Sequence, residues 1–172
     1  ECINTFFRLQ EDLERLALAG YFVQLLDCLT DEYQDWDDAL RLALNSLYVL
    51  TETEKPVLQV KAVFELRLMA LCGYMPDLSG CHLCGKKEGP MLFGLRQGAL
   101  VCPNCSDGSY EPVAPGVLTA MRYAMLGPAG KVFSFELPEK SLRELEGLSQ
   151  RFTLLHLDRS FKGLEFFNSV RT

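Results

Sequence analysis

The amino-acid sequence predicts a mainly α protein: a helical bundle-like domain with an inserted four-cysteine module that contains a short β-hairpin. Three observations lead there. Apolar residues recur at three- and four-residue steps along residues 1–76 and again along 112–172, the period of helices that bury one face. Residues 77–111 break that period and are rich in Gly, Pro, Ser and Cys. Within the break, two Cys-x-x-Cys pairs flank two short apolar pieces, 91–95 and 99–101. The expected organisation is the first part of the helical domain at 1–76, the module at 77–111 and the second part of the helical domain at 112–172.

The first apolar series, Phe6, Leu9, Leu13, Leu16 and Ala17, opens a helix over residues 3–29. Gly20 is a point of bending, and Tyr21, Phe22, Leu25, Leu26 and Leu29 continue the face. After the acidic stretch 30–38, Asp35 is the expected N-cap of a helix over 36–50. Its apolar side is Trp36, Leu40, Leu42, Ala43, Leu47 and Leu50. Pro56 suits the first turn of a third helix carrying Val57, Val60, Val63, Phe64, Leu66 and Leu68. Gly73 and Pro76 end that helix. In the module, Arg96-Gln97-Gly98 reads as the hairpin turn. Helix resumes over 115–125, turns at 127–130, and starts again at Pro138 with Leu142, Leu145, Leu148, Phe152, Leu155 and Leu157 on its face. Residues 132–135 read as an extended linker. Phe161, Leu164, Phe166, Phe167 and Val170 form a last apolar set beyond a bend.

With 172 residues, 48% of them hydrophobic and 23% charged, the chain can bury a core of its own. No apolar run approaches the roughly 20 residues that cross a bilayer, so no membrane partner is expected. No secretion signal opens the chain, and its start at Glu1 inside an amphipathic pattern suggests a fragment or processed product. The net charge of −6 argues against a dedicated nucleic-acid domain. Residues 1–76 hold six Lys or Arg against thirteen Asp or Glu, and residues 77–172 hold eleven against ten. DNA contact is therefore expected to be secondary or local. Lys86, Lys87 and Arg96 are candidate phosphate contacts, set against the plainer reading of solvated loop charges. Residues 127–130 lack the Lys-Ser/Thr of a phosphate-binding loop, and no nucleophile elbow is present. The acidic run Asp31, Glu32, Asp35, Asp37 and Asp38 lacks EF-hand spacing. An enzyme is not expected.

Chemistry concentrates in the cysteines. Cys81-His82-Leu83-Cys84 is followed seventeen residues later by Cys102-Pro103-Asn104-Cys105. Two residues between thiols let a knuckle present both to one ion, and Gly85 supplies permissive backbone after the first pair. The intervening segment suffices for a hairpin that brings the pairs together. Four thiolates saturate a tetrahedral Zn2+ and leave no position for water, so a single structural zinc held by Cys81, Cys84, Cys102 and Cys105 in a zinc-ribbon or knuckle is expected. The alternative, two redox dithiols, lacks its strand–helix context. His82 reads as a surface residue and His156 as a packed one. Cys2, Cys28 and Cys72 read as small core hydrophobes of a reducing cytoplasm.

The order of these residues resembles a known family. A helical segment leads into Phe64-Glu65-Leu66 and then Leu71-Cys72-Gly73-Tyr74-Met75-Pro76-Asp77-Leu78. The two cysteine pairs follow, and Leu155-His156-Leu157 with Ser160 and Leu164 stands near the end. Together they are similar to the carboxy-terminal part of the RecO family of bacterial recombination mediators. The resemblance spans nearly the whole chain and is most specific over 64–105. The family's amino-terminal OB-fold has no counterpart in this chain. The resemblance implies a non-enzymatic cytoplasmic protein, associated with the nucleoid during repair. Such proteins bind single- and double-stranded DNA, mainly through the OB-fold, and anneal complementary strands. With RecR they load recombinase onto DNA coated by single-stranded DNA-binding protein, whose carboxy-terminal tail they contact. It also implies that the four cysteines are the family's zinc ligands. That tail needs a hydrophobic slot rimmed by Lys or Arg, but no residue of the second half matches a family motif for it. The reading from a different class is a zinc-stabilised helical interaction module with no nucleic-acid role.

Overall fold

A computed structural model describes residues 6–30 and 36–171. Among the described residues there are six α-helices and one four-stranded sheet: α1 (Leu13–Leu29), α2 (Asp37–Glu52), α3 (Val57–Leu71), β1 (Asp77–Cys81), β2 (Met91–Gly94), β3 (Ala99–Val101), β4 (Glu111–Val113), α4 (Pro115–Leu126), α5 (Glu139–Leu157) and α6 (Lys162–Val170). The mainly α fold with a β-containing insert is thus present.

The axis of the bundle is α3. Val60, Ala62, Val63, Phe64, Leu66, Leu68 and Met69 on this helix are fully buried, because α2, α4 and α5 all pack on it and α1 touches it from another side. Phe22 of α1 stacks on Phe64 with ring centroids 3.8 Å apart. An all-round buried helix must also bury its polar positions. Lys61 and Glu65 are fully enclosed, with Lys61 Nζ 3.0 Å from Glu65 and 2.9 Å from Glu146 of α5. Glu65 further accepts hydrogen bonds from the Tyr21 hydroxyl at 2.8 Å and the Ser149 hydroxyl at 2.6 Å. One carboxylate thereby joins α1, α3 and α5. The helix ends at Cys72, where Gly73 takes φ 90° and Tyr74 N–H donates to Met69 O at 2.8 Å.

The sheet runs in the order β1-β3-β2-β4, with β1 parallel to β3 and the other pairs antiparallel. The β2–β3 hairpin falls where the sequence places it, with Gly98 at φ 58° in its turn. The sequence reading missed β1 and β4, which are short and carry no clear two-residue alternation. Arg122 of α4 donates to Leu78 O of β1 from Nε at 2.8 Å and Nη2 at 2.6 Å. On the other side, Arg151 of α5 pairs with Glu111 of β4 at 2.9 Å, and Phe93 packs on Phe152 of α5 with centroids 6.0 Å apart. Helices α3 and α4 meet directly, with residues 75–79 beside Arg122 and Met125 of α4 and Ala114 N–H donating to Glu144 of α5, so the bundle fixes where each end of the insert lies.

Four expectations change. The first helix begins only at Leu13, because Asp12 accepts from Arg15 N–H at 3.1 Å and caps it there, while residues 7–11 form a separate 3-10 turn. The buried side is consequently Ala17, Leu18, Tyr21, Phe22 and Leu25, and Leu13 and Leu16 are exposed. Gly20 does not break the helix. On α2, Leu40 is 56% exposed, since Ala39, Leu42, Ala43, Ser46, Val49 and Leu50 form the packed side. Phe166 is likewise exposed on α6, whereas Leu164 and Phe167 are buried. Asp35 and Cys2 lie outside the described residues.

Candidate metal centre and neighbouring surfaces

Local backbone shapes the centre before any ion enters. Cys81 ends β1, and its N–H donates to Lys86 O at 2.7 Å while its C=O accepts from Gly85 N–H at 2.8 Å. Gly85 at φ 74° reverses the chain there. At Gly80 a Cβ would stand 2.8 Å from Lys86 O, so only glycine lets the knuckle close on the strand. The second pair is set by a 3-10 turn over Pro103–Cys105, closed by Cys105 N–H donating to Cys102 O at 3.0 Å.

The result is convergence. One sulfur from each of Cys81, Cys84, Cys102 and Cys105 lies within 4.8 Å of every other. Cys84 Sγ and Cys102 Sγ are 3.8 Å apart, the edge of a tetrahedron whose centre is about 2.3 Å from each sulfur, the ordinary zinc–thiolate bond. Backbone N–H donors of Cys102, Cys84 and Leu83 hold the Cys81 thiol down to about 6. The sulfurs of Cys102 and Cys84 push Cys105 up to about 12. Four like groups resist deprotonating together, and a divalent cation at their centre removes that penalty. The donor set fits a closed, four-thiolate site.

The histidines stay outside this set. His82 is exposed, with Nε2 3.1 Å from the Tyr110 hydroxyl. His156 packs on Phe152 with centroids 4.3 Å apart, and its Nε2 donates to Leu95 O at 2.9 Å. Cys28 and Cys72 pack half-buried against the core. Lys86 and Lys87 lie at the cysteine end of the sheet and Arg96 in the hairpin turn at its other end, so the structure does not gather them into one cluster. Sequence reasoning did not find Tyr110, which has no motif of its own. Nor did it find a cavity of about 420 Å³ walled by Arg41, Leu42, Arg67, Leu71 and Val132.

Fold and centre together define a helical protein stapled by a metal-ready insert. Residues 10–165 match the family model described as Recombination protein O C terminal. The chain is similar to the DNA repair protein RecO of Acetivibrio thermocellus, 32% identical over 173 residues, which cover 99% of this chain and 69% of the relative. It is similar to the DNA repair protein RecO of Symbiobacterium thermophilum at 28% identity, covering 100% of this chain and 70% of the relative. The chain belongs to the RecO family. No helix among the described residues is long and apolar enough to cross a membrane.

Proposed function

We propose that this chain is the zinc-stapled, non-enzymatic helical part of a RecO-type recombination mediator of the bacterial cytoplasm. It would help to anneal strands and to load recombinase onto coated single-stranded DNA. The family match over residues 10–165 carries this reading. The convergence of four sulfurs supports one structural zinc on Cys81, Cys84, Cys102 and Cys105. Their saturation leaves no open coordination position, which favours a scaffold over a hydrolase. RecR, the tail of the single-stranded DNA-binding protein and DNA are the partners. An acidic tail ending in an apolar residue would seat that residue in the cavity between α2 and α3, where Leu42, Leu71 and Val132 line the wall and Arg41 and Arg67 outnumber the one carboxylate, Asp38.

The experiment is a RecR pull-down alongside metal analysis and a salt series of DNA binding. Capture of RecR, one zinc per chain, and DNA binding that is weak at physiological salt are expected, given the −6 charge. Loss of both RecR and DNA binding in a folded, zinc-loaded chain would leave the interaction-module reading in its place. One zinc per chain retained by a folded Cys81→Ala/Cys102→Ala variant would refute the ligand assignment.

A further inference from the structure

On one face the module's sheet is sealed against α5 through Phe93 and Phe152. Successive strand residues point to opposite faces, so Gly94 looks outward. A Cβ at Gly94 would stand 2.7 Å from Tyr110 Cε1, so the Tyr110 ring packs against the strand at a position that only glycine leaves open. The Tyr110 hydroxyl reaches His82 Nε2 at 3.1 Å, and the two rings lie 6.1 Å apart at 42°. His82 is exposed and Tyr110 half-buried. The cleft of about 380 Å³ at this end of the sheet, lined by Phe93, Leu95, Glu111 and Leu155 of α5, opens on the side that faces α5 and is not part of the outer face.

We infer that this outer face, Tyr110 beside His82, is a stacking platform for the bases of a single-stranded nucleic acid; the inference rests on the DNA-repair reading above. Aromatic rings on an open sheet face accept bases of any sequence, because every base has a π-face. Lys86, Lys87 and Arg96, at the two ends of the sheet, make no ion pair among the described residues and are free to meet phosphates. Of the neighbouring carboxylates Glu111 is paired with a cation, Arg151 at 2.9 Å, whereas Asp77 and Asp107 accept from the Ser79 and Ser109 hydroxyls at 2.6 Å and keep their charge, and Glu88 follows the two lysines in sequence. Three cations on an acidic chain cannot hold a strand by charge alone, so stacking supplies the main attraction and the salt dependence is shallow.

The test compares a fluorescent oligo-dT strand with an abasic strand of equal length at low salt, using the zinc-loaded chain. The wild type binds oligo-dT more tightly than the abasic strand. Tyr110→Ala weakens oligo-dT binding roughly 5- to 100-fold and abolishes the preference for bases, while Tyr110→Phe retains it. Far-UV circular dichroism and zinc content establish that Tyr110→Ala is folded. Should it not be, His82→Ala, at an exposed position, probes the platform through the same loss of preference. Equal binding of the two strands by the wild type, or an unchanged preference in the folded variants, overturns the platform and leaves DNA binding elsewhere intact. Failure of the wild type to bind either strand overturns the DNA reading itself.

Discussion

Tyr21 and Lys61 show how single side chains are set by where α3 lies. Burial, then the Glu65 charge, pushes the Tyr21 phenol far above the usual tyrosine range. A folded-state pKa raised above the unfolded value of about 10 means that the folded chain holds its proton more tightly. Its stabilising contribution is complete below about pH 10 and is lost as pH rises beyond it. We expect the urea midpoint to fall between pH 9 and 11, with one of the six tyrosines resisting ionisation at 295 nm until the chain unfolds. Ionisation of all six in the native state would contradict this. The convergence of Cys81, Cys84, Cys102 and Cys105 was readable in advance, because two close pairs of one ligand type across a hairpin suit a single ion. The Tyr110–His82 contact was not readable, since twenty-eight positions separate two residues that meet only across the face of a sheet.

Between elements, the fully buried pair Lys61 and Glu65 is the seam of α3 with α5 and α1. Removing one member of such a cluster leaves the rest charged in a dry interior, a cost of about 3–5 kcal/mol. Lys61→Met should lower stability by that amount in chemical denaturation. Adding Glu65→Gln, which removes the unpaired charge and keeps an acceptor for the Tyr21 hydroxyl, should recover part of it. Additive losses would show that the charges act independently. The helices themselves were legible, because apolar spacing and the prolines just before α3 and α5 and at the start of α4 mark them. Which side each helix buries was less so. On α1 the Asp12 cap shifts the start by more than a turn, and on α2 the small residues Ala39, Ala43 and Ser46 make the close contact, leaving the larger Leu40 outside.

At the scale of the molecule, an insert tethered at both ends sits on a larger helical bundle, and one hydrophobic core, mostly helical, runs through both. Chelation should therefore abolish the order of the sheet and leave most far-UV helical signal in place; complete unfolding by chelator would place the bundle's stability in the metal instead. The direct contact of α3 with α4 carries a further meaning for the ion. A free peptide spanning 74–116 must give up the wandering of both its ends as its four sulfurs are drawn together, and such ordering costs entropy. In the whole chain the helices already fix both ends, so metal capture begins from a pre-drawn purse. Zinc should bind the chain more tightly than the peptide, by roughly tenfold or more, as competition with a chromophoric chelator would measure. By the same logic, a cavity cut into the buried face of α4, as by Met121→Ala, should weaken metal retention without touching a ligand.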